Sequence, residues 1–145
     1  MTDPFDLARF VDAQAADYNR ALQELRIGAK RSHWMWYVFP QFEGLGSSTL
    51  SRRYAIRSRA EAAAYLAHPV LGPRLRECAE ALLAHHARSA RQILGTPDDL
   101  KLRSSATLFA EVDGAGVFTR LLQQFFNGEG DQKTIHLLLA SEERA

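Results

Sequence analysis

The chain has 145 residues, one cysteine and a formal net charge of +1. Its length is typical of one domain, and its 46% hydrophobic content argues against a disordered chain. A single cysteine excludes an intrachain disulfide, and no apolar run approaches the roughly 18 residues needed to span a bilayer. We therefore expect one domain over residues 1–145, located in the cytoplasm and without a membrane partner.

The first predicted element has helical spacing of apolar residues. Asp3-Pro4 is typical of an N-cap followed by a first-turn proline, and Gly28 is typical of a C-terminal cap. The spacing changes face partway along, which leaves one long helix or two shorter helices open. The apolar residues that define it are Leu7, Phe10, Val11, Tyr18, Leu22 and Leu25.

Residues 34–39 are ambiguous. They favour strands by type, but polar and apolar residues do not alternate along them. Alternatively, Ser32 caps a short helix that ends before Pro40. Because helices are predicted on both sides and no partner strand is evident, we favour the helix. His33, Trp36 and Tyr37 would then share one face.

Helix signals recur through the rest of the chain. Apolar spacing is clearest in residues 118–126, which Asn127-Gly128 terminates. Capping patterns predict the other boundaries at Ser58 with Glu61, Gly72-Pro73, Ser89, Gly95, Thr96 to Asp99, and Asp131. No repeat or linker interrupts the chain. We therefore predict an all-α fold, a single compact domain of about seven or eight short helices.

The segment KRSHWMWYVFPQFEGLGSS, residues 30–48, contains both tryptophans. Tryptophan offers a broad face on which a base or sugar ring can stack, and lysine supplies charge for a phosphate or carboxylate. Donors in a Gly/Ser turn can bind the same anion. The alternative is an aromatic core wedge whose polar residues face solvent. The candidate ligand-binding residues are Lys30, His33, Trp34, Trp36, Gln41, Ser47 and Ser48.

In the ligand interpretation these residues have distinct roles. The two tryptophans form walls, Lys30 and His33 face an anionic group, and Gln41 orients it. We therefore expect Lys30, His33 and Gln41 to converge on one concavity. GLGSST, residues 44–49, lacks the Gly-Lys-Ser/Thr ending of a P-loop and the third glycine of a dinucleotide fingerprint, so a tight turn before a helix is its better interpretation.

Charge supports an anionic ligand. Residues 26–59 hold seven Lys or Arg and one acid, Glu43, whereas the remainder of the chain is acidic overall. Such an asymmetry favours anionic ligands, although a solvated basic surface accounts for it equally well. We do not expect nucleic acid as a partner, because the acidic remainder opposes attraction to a phosphate backbone.

A second polar group lies in KLRSSATLF, where Lys101 and Ser104 are three residues apart on one helix face. It is either an accessory anion site or a place where hydroxyls bond to the helix backbone. Cys78 and His86 also share a predicted face, but about 12 Å of helix separates them, too far for one ion. We predict no metal and no cofactor.

The segments DPFDLARFVDAQ, GAKRSHWMWYVFPQFEGLGSS, AYLAHPVLGPRLRE and KLRSSATLF resemble, in order and spacing, a bacterial family called domain of unknown function 1810. The likeness covers nearly the whole chain, with no departure at the signature positions. It implies a mainly α-helical single domain without an established activity. Members are often automatically labelled calpastatin. We reject that label, because calpain inhibitors of that name are repetitive and disordered, whereas this sequence has no repeats and abundant apolar periodicity.

Two functional hypotheses follow. The first is a pocket lined by Trp, His and Lys that binds or processes a small anionic ligand, nucleotide-like or ADP-ribose-like. The second is a protein-interaction module that uses an exposed aromatic patch. The position of Trp34 and Trp36 separates the two.

Overall fold

The computed structural model describes residues 2–144, with side chains up to residue 143. Over this range the chain forms nine helices and no strand, which confirms the all-α prediction. The count exceeds the predicted seven or eight. The helices are α1 (Ala8–Ile27), α2 (Met35–Val38), α3 (Thr49–Arg53), α4 (Arg59–Ala67), α5 (Leu71–Leu83), α6 (Ala90–Leu94), α7 (Asp98–Asp113), α8 (Val117–Phe126) and α9 (Gln132–Arg144).

Helix α1 is one continuous helix, which decides between the two alternatives left open by the sequence. Its start differs from the prediction because Pro4 lies in a preceding turn. The Asp3 carboxylate nevertheless accepts hydrogen bonds from the backbone N–H groups of Leu7 and Ala8, at 2.8 and 2.9 Å. These bonds lower the pKa of Asp3. At the other end, Gly28 adopts the left-handed conformation (φ 86°) expected of a C-cap.

The favoured helix in residues 34–39 is present as the single turn α2. Two details of that prediction are wrong. Ser32 does not cap α2, because its hydroxyl donates to the carboxylate of Glu24 instead. His33 lies before the helix and is exposed, so it does not share a face with the buried Tyr37.

Local capping signals account for the later helix ends. Ser89 and Gln92 form a complete capping box at the start of α6, and the Asp131 carboxylate accepts the Thr134 N–H at the start of α9. At α4 only half of the expected capping box forms. The Ser58 hydroxyl accepts the Glu61 N–H at 3.0 Å, but the Glu61 carboxylate binds other partners.

The core lies between the longer helices. Helix α7 packs against α4, α6, α8 and α9, while α5 packs against α1, α4 and α8. In α8 the side chains of Phe118, Leu121 and Leu122 are buried, as the apolar spacing predicts. Several aromatic residues are fully enclosed by this packing: Phe10, Trp34, Phe39, Tyr65, Phe109 and Phe118.

Candidate functional site

Trp34 is part of the core and does not line a cavity wall. Its side chain is fully buried, and its indole N–H donates to Glu24 Oε1 at 2.9 Å. The backbone N–H groups of Arg31 and Ser32 donate to the same oxygen, at 2.9 and 3.0 Å. The Glu24 carboxylate on α1 therefore holds the segment that follows this helix. Trp34 has no free face for a ligand ring.

The hydrogen bonds to Glu24 keep its carboxylate ionised. Burial alone would raise the pKa of Glu24, but bonds from the Ser32 hydroxyl, the Arg31 N–H and the Trp34 indole outweigh it and lower the pKa to about 2. Hydrogen-bond donors that converge on a buried carboxylate offset the free-energy cost of taking its charge out of water. The polar groups of residues 31–34 thus serve in part as hydrogen-bond donors to Glu24 on α1.

Lys30 binds a protein carboxylate. Its ammonium lies 2.9 Å from Asp98 Oδ2, donates to the Ser32 carbonyl and sits 5.0 Å from the centre of a Trp34 ring. On the other side of the same carboxylate, Lys101 approaches Asp98 Oδ1 at 3.4 Å and the half-buried Trp36 ring at 5.4 Å. Only 7% of the Lys30 side chain is exposed, so this cation is already neutralised inside the protein.

Residues 41–57, which follow Pro40, form a loop whose ends meet, and we call it the closed loop. Its two ends pair as a single parallel bridge. The Ile56 N–H donates to the Gln41 carbonyl, the Glu43 N–H donates to the Ile56 carbonyl, and both bonds are 2.9 Å long. Phe42 and Ile56 are buried at the base and anchor it. Gly44 has φ 101° and lies against α9, where an added Cβ would be 3.3 Å from Leu137.

A cleft of about 440 Å³ lies within this loop, a volume suited to a small molecule. We call it the loop cleft. It opens to solvent, and its lining comes entirely from residues 41–57: Gln41, Phe42, Glu43, Gly44, Gly46, Ser47, Ser51, Arg52, Ala55 and Arg57. The loop cleft lies between helix α3 and the bridge that closes the loop, so the shape of the cleft depends on that closure.

Two of the nine predicted ligand-binding residues, Gln41 and Ser47, line the loop cleft. Lys30 and His33 do not, so the expected convergence of Lys30, His33 and Gln41 does not occur there. Ser48 is next to the cleft but serves as the N-cap of α3, accepting the Ser51 N–H at 3.1 Å. This agrees with the alternative interpretation, a turn before a helix.

Ser104 also has a structural partner. It is buried in α7, and its hydroxyl is 3.2 Å from the Leu100 carbonyl and 3.4 Å from Asp131 Oδ2. This is the backbone bonding offered as the alternative to an anion site. Lys101, three residues earlier, belongs to the group around Asp98. The structure therefore separates the predicted residues: Gln41 and Ser47 line the loop cleft, Lys30 and Lys101 lie at Asp98, and Ser48 caps α3.

Arginine provides the positive charge of the loop cleft. Arg52 is exposed and forms no ion pair with any described side chain. Arg57 Nε lies 3.2 Å from Glu43 Oε2, but both side chains are largely exposed, at 67% and 60%. Ion pairs this exposed contribute little, so an anion can displace Glu43 from Arg57 at small cost. The hydroxyls of Ser47 and Ser51 and the amide of Gln41 add neutral polar groups.

A buried ion pair supports one wall of the loop. Arg9 on α1 donates to the carbonyls of Arg53 and Ala55, each at 2.8 Å, and to Glu61 Oε2 at 2.7 Å. The other Glu61 oxygen accepts the Arg57 N–H at 3.1 Å. Residues 53–57 are thereby fixed between α1 and α4, and Arg57 extends from a rigid backbone.

Sequence reasoning missed Arg52 and Arg57 as site residues, although it recognised the basic stretch that contains them. It also missed Arg9, which is 52 positions from its partner Glu61. The half capping box at Ser58 pointed to Glu61, but nothing local indicated which cation binds it.

The aromatic patch proposed for the second hypothesis is not exposed. Trp34 is fully buried and Trp36 is half-buried. Among residues 2–143, the exposed large hydrophobic side chains are aliphatic: Ile27, Leu50, Leu100 and Leu139. The interaction hypothesis in that form is therefore not supported.

The described residues also bear on metal binding and on membrane insertion. No group of three or more His, Cys, Asp or Glu among them is placed to hold a metal ion. No described helix has both the length and the apolar character needed to cross a membrane.

Comparison with known proteins places the chain in a family. The model of the family described as protein of unknown function (DUF1810) matches residues 4–138. The chain therefore belongs to this family, which confirms the resemblance seen in the signature segments. A solved structure, the conserved hypothetical protein Rv1873 from Mycobacterium tuberculosis, is 54% identical. That match covers 94% of this chain and 99% of that chain with a TM-score of 0.92. No curated protein matches the chain.

Proposed function

We propose that this protein binds a small anionic molecule, and that the loop cleft receives it. The observation that carries the proposal is Arg52, which forms no ion pair with a described side chain and lines a cleft together with Arg57, Ser47 and Gln41. Guanidinium groups match carboxylate and phosphate oxygens in a bidentate manner, and hydroxyls and amides complete such sites with neutral hydrogen bonds.

The sequence favoured a nucleotide-like or ADP-ribose-like ligand because two tryptophans offered stacking walls. Trp34 is enclosed, and neither tryptophan lines the loop cleft. We therefore propose a ligand that has an anionic group but no base stacked on a tryptophan. Phe42 is the aromatic residue of the lining, and it is itself buried. A sugar phosphate fits this lining better than a nucleotide does, because it needs charge and hydroxyl partners but no ring face.

The proposal is tested by calorimetric titration with fructose 6-phosphate and AMP, each also used in a thermal-shift assay. We expect fructose 6-phosphate to bind more tightly than AMP. At about 100 times its dissociation constant, a ligand stabilises a protein by about 2.7 kcal/mol, which raises the melting temperature by several degrees. Arg52→Met should weaken binding about tenfold or more, because a charge-assisted hydrogen bond is worth about 1.5–3 kcal/mol.

Arg91→Met is the matched control. Arg91 is exposed on α6 and outside the loop-cleft lining, so this variant loses the same charge elsewhere. It should bind like the original chain. Equal losses in both variants would mean that only net charge matters, and an absence of binding by both ligands would contradict the proposal.

A further inference from the structure

A second cleft adjoins the loop cleft and shares one residue with it. Its volume is about 570 Å³, and it opens to solvent beside the start of α4. We call it the α4 cleft. Arg57 lines both clefts. The remaining lining of the α4 cleft consists of Pro4, Phe5, Asp6, Arg9, Arg53, Ser58 and Glu61.

The two clefts lie along the same stretch of backbone. Arg52 and Ala55 line the loop cleft, whereas Arg53 and Ser58 line the α4 cleft. The carbonyls of Arg53 and Ala55 are held by Arg9, which itself lines the α4 cleft. Residues 52–58 thus form a common wall, and Arg57 is the point from which both clefts can be reached.

Charge in the α4 cleft also favours an anion. Arg9 and Glu61 neutralise each other in their 2.7 Å ion pair, and both are almost fully buried. Asp6 is the opposing charge that remains. Against it stand Arg57 and the exposed Arg53, whose guanidinium lies 5.7 Å from the Tyr54 ring centre and forms no ion pair with a described side chain. Because α4 begins at this cleft, the positive end of its dipole adds to the same field.

We infer that the ligand carries two phosphate groups and spans both clefts across Arg57, with one group beside Arg52 and the other beside Arg53. This inference rests on the proposed function, and it specifies the class of small molecule bound. Each cleft separately has the volume of a small-ligand site, and the shared arginine makes binding of the two groups mutually dependent. Glu43 leaves Arg57 when the ligand binds.

Linking two anionic groups in one molecule increases affinity without any new kind of contact. Once the first group is bound, the second meets its cleft at a high effective concentration. A bisphosphate should therefore bind more tightly than the matching monophosphate. The increase should depend on Arg53, the exposed arginine that lines the α4 cleft but not the loop cleft.

The experiment compares fructose 6-phosphate with fructose 1,6-bisphosphate by calorimetric titration, using the full chain and its Arg52→Met, Arg53→Met and Arg91→Met variants. We expect the bisphosphate to bind about tenfold more tightly or better. Arg53→Met should remove that increase, so that this variant binds the bisphosphate about as tightly as it binds the monophosphate. Arg52→Met should weaken both ligands, and Arg91→Met neither. Thermal unfolding of each variant checks that the fold is retained.

The outcomes separate the two claims. If the monophosphate binds and responds to Arg52→Met, but the bisphosphate binds no more tightly, the two-cleft inference is overturned and the proposed function stands. The inference also fails if the increase survives in Arg53→Met. If neither sugar phosphate binds, both are overturned.

Discussion

Replacing Glu24 by glutamine tests whether the tryptophan-rich segment is held by the protein itself. Three hydrogen bonds, from Arg31, Ser32 and Trp34, end on Oε1, and the Ser32 hydroxyl donates to Oε2 at 2.6 Å. Glutamine keeps an oxygen in the first position and places an NH₂ group in the second, where the Ser32 hydroxyl can accept. The Glu24→Gln variant therefore keeps the hydrogen bonds but loses the negative charge of their acceptor.

The expected loss follows from that comparison. Hydrogen bonds to a charged group are worth about 1.5–3 kcal/mol and neutral ones about 0.5–1.5 kcal/mol, so each bond weakens by roughly 1 kcal/mol. The variant also avoids burying a charge, which offsets part of the loss. We expect Glu24→Gln to lower the free energy of unfolding by about 1–3 kcal/mol at pH 7. Glu24→Ala leaves four donors without this acceptor and should cost more.

The pH dependence gives the sharper readout. The folded pKa of Glu24 is lowered from 4.5 to about 2, so its stabilising contribution is complete above pH 4.5 and is lost as pH falls toward 2. The stability difference between the original chain and Glu24→Gln should therefore shrink over this window. Urea denaturation followed by tryptophan fluorescence measures it at several pH values.

An exposed acid supplies the control for this experiment. Glu80 is paired with Arg120, but both side chains are more than half exposed, so Glu80→Gln should change stability by less than about 1 kcal/mol. A stability loss in Glu24→Gln that is the same at pH 3 as at pH 7, or no larger than the loss in Glu80→Gln, would show that the charge of Glu24 does not hold this segment.

Two further predictions concern the core. Leu122 is buried in α8, so Leu122→Ala should lower the free energy of unfolding by about 2–5 kcal/mol, and an unchanged urea midpoint would show that α8 is not packed as described. Burial raises the pKa of the Cys78 thiol to about 12, so iodoacetamide should alkylate native protein far more slowly than urea-unfolded protein at mildly alkaline pH. Comparable rates in the two states would mean that Cys78 is accessible.

The all-α fold class and most helix ends were predictable from the sequence because their causes are local. A glycine that adopts a left-handed conformation at residue 28, a capping serine at residue 89 and an aspartate at residue 131 act within four residues along the chain. The apolar spacing of α8 likewise needs no knowledge of its neighbours. Where a distant partner competed, the local prediction failed in part, as at Glu61, whose carboxylate binds Arg9 on α1 and not the Ser58 N–H.

The site depended on tertiary structure. Lysine, serine and tryptophan donate equally well to a ligand anion and to a carboxylate of the protein, and residue types alone do not distinguish the two. Glu24 and Asp98, brought close by folding, take the donors of residues 30–34. The loop cleft lies within a loop whose ends are brought together by the bridge between Phe42 and Ile56. Sequence alone determined the family, the helices and a basic segment, whereas tertiary contacts decided which of its cations pair with distant carboxylates of the protein, as Lys30 does with Asp98.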